Sequence, residues 1–141
     1  MEQLETLRLW LQSWPGWEEI VLRLDGLEQR PGCAGLYPQG LEQRQWQKDL
    51  QGNVLCRLRL HLRLRLCTED PEGWAGKLLR LQQWIMTELP PALGCLPQQE
   101  QVAAQKGRLV KSAGPGLWLY ELPLWADYTV YREVRYDDES L

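Results

Sequence analysis

The sequence predicts an α+β fold: a mixed, mostly antiparallel β-sheet with two helices packed on one face. Three observations carry this. From Arg57 to Leu66 the chain alternates apolar and cationic residues without a fault, a two-residue period that only a strand produces. Two segments, Glu2 to Trp14 and Pro71 to Glu88, repeat apolar residues at helical spacing. The runs after Val102 are short, rich in Val, Leu, Trp and Tyr, and punctuated by Gly and Pro, as strands are. At 141 residues the chain is long enough to bury a real core, and 1–141 reads as a single domain.

The first helix places Leu4, Leu7, Leu11 and Trp14 on one stripe with Trp10 beside it, and Pro15-Gly16 stops it. Ile20 to Leu24 is a short strand, followed by a turn at Asp25-Gly26. Residues 27–53 read as loop, because Pro31-Gly32, Gly35, Pro38, Gly40 and Gly52 interrupt them. Within that loop, Glu42 to Lys48 allows a polar strand. It would turn near Asp49 to Asn53 and pair antiparallel with the next element as a projecting β-hairpin.

That next element organises the rest. Leu58, Leu60, Leu62, Leu64 and Leu66 face one way; Arg57, Arg59, His61, Arg63 and Arg65 face the other. Its ten alternating residues span roughly 34 Å at strand rise. The second helix begins after Thr68 or Asp70 as cap, with Pro71 in the first turn. It carries Trp74, Leu78, Leu81 and Ile85 as a buried stripe, with Trp84 adjacent, to cover the leucines. Pro90-Pro91 ends it. Val102 to Ser112 reads as a strand broken or bent at Gly107. Leu117 to Leu122 reads as a strand that Pro123 interrupts, and Asp127 to Tyr136 as another, before a solvated acidic stretch at Asp137, Asp138 and Glu139.

The search for chemistry is mostly negative. The net charge of −3 argues against a general nucleic-acid binder, so the arginine face is a local feature. Cys33, Cys56, Cys67 and Cys95 contain no CxxC pair and there is a single His, which argues against a zinc site and reads as four reduced thiols. Glu2 and Glu5 interrupt any signal-peptide pattern, and no apolar run approaches a membrane span. No GxGxxG, P-loop, HExxH or GxSxG occurs. A Cys–His nucleophile fails on geometry. Cys67 is about 20 Å from His61 along the strand, and Cys56 leaves the opposite face. The expectation is a protein that is no enzyme and holds no cofactor and no metal.

The arginine face has three readings. It is a solvated face whose arginines pair with carboxylates across the sheet, Glu42 and Asp49 among them. Or it is a subunit interface, with Arg57, Arg59, Arg63 and Arg65 meeting acid on a neighbour. Or it meets a nucleic-acid backbone, a reading weakened by the acidic chain and the expected lack of interleaved aromatics on that face.

Three segments in order carry a resemblance. They are LYPQG (Leu36–Gly40) with DLQGNVLCRLRLHLRL (Asp49–Leu64), LLRLQQWI (Leu78–Ile85) with LPPALG (Leu89–Gly94), and LWLYELPLWADYTVY (Leu117–Tyr131). Together they resemble the small minor capsid or tail-completion proteins of Gram-positive prophages, which are similar to siphophage tail terminators. The likeness runs from Leu36 to Tyr131 and consists of spacing and turn residues, with no catalytic signature. It implies a structural phage tail protein that forms a hexameric ring, caps the tail tube during virion assembly and meets the head–tail connector protein. It implies residence in the bacterial host cytoplasm during assembly and then in the virion tail. A neck protein nearer the capsid is the alternative, and a nucleic-acid-binding module using the Arg57–Arg65 face a third. A DNA conduit is not expected to grip DNA, so either these arginines face away from the lumen or the protein is a different neck component.

Overall fold

A computed structural model describes residues 2–24, 32–43, 52–94, 101–111 and 116–131. Two described helices, α1 (Glu2–Gln12) and α2 (Pro71–Thr87), lie on one sheet of six described strands: β1 (Val21–Arg23), β2 (Cys33–Gln43), β3 (Asn53–Cys67), β4 (Gln101–Ala104), β5 (Arg108–Lys111) and β6 (Leu117–Tyr131). The strand order is β1-β2-β3-β6-β4, with β5 on the same outer side of β6 as β4. Only β1 and β2 run parallel, so the sheet is mixed and mostly antiparallel, as expected.

The period-two strand is the centre. Leu58, Leu60, Leu62, Leu64 and Leu66 are all buried, against Leu7 and Leu11 of α1 and Leu78, Leu81 and Ile85 of α2. Each such side chain contributes roughly 1.5–3 kcal/mol on burial. The helices meet through Trp10 and Trp84, whose ring centroids lie 4.8 Å apart. Pro15–Trp17 forms a 3₁₀ turn after α1, and the buried Trp17 donates its Nε1–H to the carbonyl of Leu11 at 2.6 Å. At the start of α2 Asp70 is the cap, its Oδ1 accepting the Gly73 N–H at 3.0 Å, and Pro71 occupies the first turn.

Two expectations are corrected. Cys33–Gln43, expected as part of a loop, is an eleven-residue strand paired with β3 from Cys33↔Arg65 to Gln43↔Cys56. Its Pro and Gly are tolerated because the register shifts between Pro38 and Gly40, and because β1 reaches only as far as Gly35. Of the expected strand Glu42–Lys48, Glu42 and Gln43 end β2. The remainder and the turn at Asp49 lie outside the described residues.

Pro123, expected to break the last strand, sits inside one continuous β6 paired with β3 from Asn53↔Tyr131 to Cys67↔Leu117. The Pro123 carbonyl accepts the Gln105 N–H at 2.8 Å. In a strand the N and C=O of one residue point the same way, so the missing N–H also faces the gap between β4 and β5. No β3 ladder bond is lost. The expected break at Gly107 is that gap. The expected strand beyond Tyr131, the acidic stretch at Asp137–Glu139, the turn at Asp25-Gly26 and Cys95 lie outside the described residues.

Candidate functional site

The helices cover the leucine face, so the alternation of β3 leaves Arg57, Arg59, His61, Arg63 and Arg65 on the other. Register then decides their neighbours. From β6 come Asp127, Trp125, Pro123, Glu121 and Leu119; from β2 come Glu42, Gly40, Tyr37, Gly35 and Cys33.

Arg57 is held most firmly. Its Nε and Nη2 donate to the two carboxylate oxygens of Asp127 at 2.8 and 2.9 Å, and its guanidinium lies 4.8 Å from the centre of the Trp125 ring. Asp127 is 4% exposed and also accepts from Gln101 Nε2 at 3.0 Å. The hydrogen bonds to Asp127 push the Arg57 pKa further up from its already high value. This fork geometry is where Arg is strongest. Arg59 meets Glu42 at 3.1 Å with both side chains half exposed, a pair of small energetic weight.

Arg63 lies over the Tyr37 ring at 5.3 Å and 3.8 Å from Glu121, which also meets Arg108 at 3.5 Å. Gly35 makes room for this. A Cβ there would come within 2.8 Å of the Tyr37 ring, so the missing side chain lets the aromatic fold back over the strand.

Among the described residues, His61 Nδ1, Arg63 Nε, Arg65 Nε and Trp125 Nε1 are buried nitrogens with no hydrogen-bond partner, and all four belong to this one surface. A buried donor without an acceptor costs about 1–3 kcal/mol.

Four arginines predicted from sequence therefore do share a face, and of the two acids named beforehand Glu42 takes its place on it; Asp49 lies outside the described residues. Sequence reasoning missed Asp127, Glu121, Trp125 and Tyr37. The signal was present in β6, where Trp125 and Asp127 alternate with Leu124, Ala126 and Tyr128, but Pro123 concealed the continuity.

Among the described residues, two of the clefts bear on this face and on the start of α2. One of about 520 Å³ lies on the arginine face between His61, Lys106, Arg108 and Glu121. The other, of about 560 Å³, lies at the start of α2 and is lined by Glu18, Glu19, Cys67 and Trp74. Burial pushes the Cys56 thiol up, away from thiolate. Among the described residues no group of three or more His, Cys, Asp or Glu is placed to hold a metal. No described helix is long and apolar enough to cross a membrane.

No family model matches the chain, and no curated protein does.

Proposed function

We propose that this chain is a non-catalytic assembly subunit that self-associates into a ring. In the specific form implied by its resemblance to tail-completion proteins, the ring caps a phage tail tube and offers a surface to the head–tail connector. The observation that supports self-association best is the sheet face that neither described helix covers. It carries Arg57, Arg59, Arg63 and Arg65 with Trp125 and Tyr37, residue types enriched at protein interfaces. It also carries buried donors that nothing in the described chain satisfies. The carboxylates of Asp127, Glu121 and Glu42 on the same face lower its attraction for phosphate and weigh against the nucleic-acid reading. On this reading the protein works in the bacterial host cytoplasm during assembly and in the virion tail afterwards.

The test is addition of the purified chain to polymerising tail-tube protein, with negative-stain imaging and light scattering. The expected result is rings of about six copies seated on tube ends, with tube growth arrested. Tubes that lengthen unchanged, with no density at their ends, would refute the reading. Binding to connector protein without tube binding would place the chain in the neck.

A further inference from the structure

The arginine face is built of side-chain rows that cross the sheet, and one row is short. Arg59 has Trp125 and then Ala103 beside it; Arg63 has Glu121 and then Arg108. Between them, His61 and Pro123 have no third neighbour from β4 or β5, because β4 ends at Ala104 and β5 begins at Arg108. The cleft of about 520 Å³ opens at this place. His61 and Pro123 line it low on the sheet, and Lys106, Arg108 and Glu121 stand at its rim. We infer that this cleft binds a small phosphate monoester carried on a ring, a nucleoside monophosphate in size. The inference goes beyond the assembly reading and is tested apart from it.

Charge selects the anion. Lys106 and Arg108 line the cleft, and Arg63 stands in the next row. Against these three cations is one carboxylate, Glu121, 3.8 Å from Arg63 and 3.5 Å from Arg108. Lys106 is exposed and has no ion pair among the described residues. Arg57 and Arg59 differ, since each has an acid of its own in Asp127 and Glu42. The carboxylates that weaken the face as a whole for phosphate therefore sit away from the cleft, except for Glu121. Three cations against one carboxylate leave an excess of two. A phosphate monoester carries about that much negative charge at pH 7, roughly −1.5 to −2.

Shape selects the body. The imidazole of His61 and the ring of Pro123 give a compact, ring-lined floor between longer neighbours. The volume lies within the range of roughly 300–1,000 Å³ usual for small-molecule sites. A single carboxylate side chain reaching in from another protein would leave most of it unfilled. The wall is also held in place. Gln105 donates its N–H to the Pro123 carbonyl at 2.8 Å, and Gly107 packs so closely on the Tyr120 hydroxyl and the Gln82 amide that a Cβ would collide with both. The turn that carries Lys106 is thus pinned on either side of it. Both cations start from a fixed backbone, which lowers the ordering cost of binding.

The experiment titrates the full-length, ¹⁵N-labelled chain with phenyl phosphate and with AMP, and follows the Gly107 and Arg108 amides by NMR. Inorganic phosphate, adenosine and a short thymidine oligonucleotide are run alongside. The expected result is saturable shifts at these amides, with Kd below about 1 mM for both monoesters and about tenfold or more weaker binding of inorganic phosphate and adenosine. K106Q/R108Q should weaken the monoesters about tenfold or more with the remaining amide spectrum unchanged. R80Q, an exposed arginine removed from α2 on the other side of the sheet, should leave binding as it was. If neither monoester binds below about 1 mM, or if K106Q/R108Q binds them as the unaltered chain does, the inference is overturned. Inorganic phosphate binding as tightly as the monoesters overturns the ring-bearing ligand. Tighter binding of the oligonucleotide than of either monoester, steeply weakened by salt and shifting the whole arginine face, overturns it in favour of a nucleic-acid backbone. None of these outcomes decides tube capping, which the tail-tube experiment judges separately.

Discussion

Arg57→Ala should be the most damaging single change on the arginine face, although the four arginines look alike in sequence. The side chain is 13% exposed and Asp127 5%, so the pair is largely withdrawn from water. Two charge-assisted hydrogen bonds at about 1.5–3 kcal/mol each set a ceiling near 6 kcal/mol. The Gln101 amide stays on Asp127, and water enters the vacated space, so part of that is retained. Stacking on Trp125 adds about 0.5–1 kcal/mol to the loss. A loss of about 3 kcal/mol follows, at the lower end of what breaking a buried pair costs. Urea unfolding followed by far-UV dichroism should show the midpoint falling by about 1–2 M at unchanged slope. Arg59→Ala, with an exposed partner, should lose less than about 1 kcal/mol. A double-mutant cycle with Asp127→Asn should give a coupling above about 1.5 kcal/mol. If Arg57→Ala and Arg59→Ala prove equally mild, the face is a uniform solvated surface and the distinction drawn between them is wrong.

Two further outcomes follow from the core. Leu62→Ala empties a fully buried site between Leu36 and Leu122, and should cost about 2–5 kcal/mol by the same urea titration. Tyr120 is 2% exposed, and burial pushes its phenol up to about 12 despite the opposing hydrogen bond from Gln82. The unfolded phenol ionises near 10 and the folded one near 12, so the folded chain holds the extra proton. Stability should therefore fall between pH 10 and 12, by roughly 1.4 kcal/mol per pH unit. Tyr120→Phe should flatten that part of the alkaline profile; an unchanged profile would remove Tyr120 as its cause.

Those elements whose signal is local were legible in the sequence. The leucine–arginine alternation of β3 and the capped, striped α2 each declare themselves within a few residues. β2 did not, because Pro38 and Gly40 carry a local signal for loop and only the partner strand shows that they flank a bulge. β6 failed in the same way. Whether Pro123 breaks a strand depends on where β4 ends and β5 begins, which is set by strands elsewhere in the chain. The site divides similarly. That four arginines share a face follows from period alone. That Arg57 is clamped while the Nε of Arg65 goes unmet depends on register with Asp127 and Leu119, which no local pattern fixes.

The long pairing of β3 with β6 sets an order of events during synthesis. β2 and β3 can close as a hairpin early, since Gln43 and Cys56 are near in the chain. β6 pairs along the whole of β3, yet it leaves the ribosome after α2, β4 and β5. Until then β3 waits with one hydrogen-bonding edge bare, and β4 and β5 have no strand to join. Such an edge beside a greasy face is a template for pairing with another chain. A nascent chain stalled just past Lys111 should thus be a strong client for a chaperone that shields exposed strands, and completion of Leu117–Tyr131 should release it.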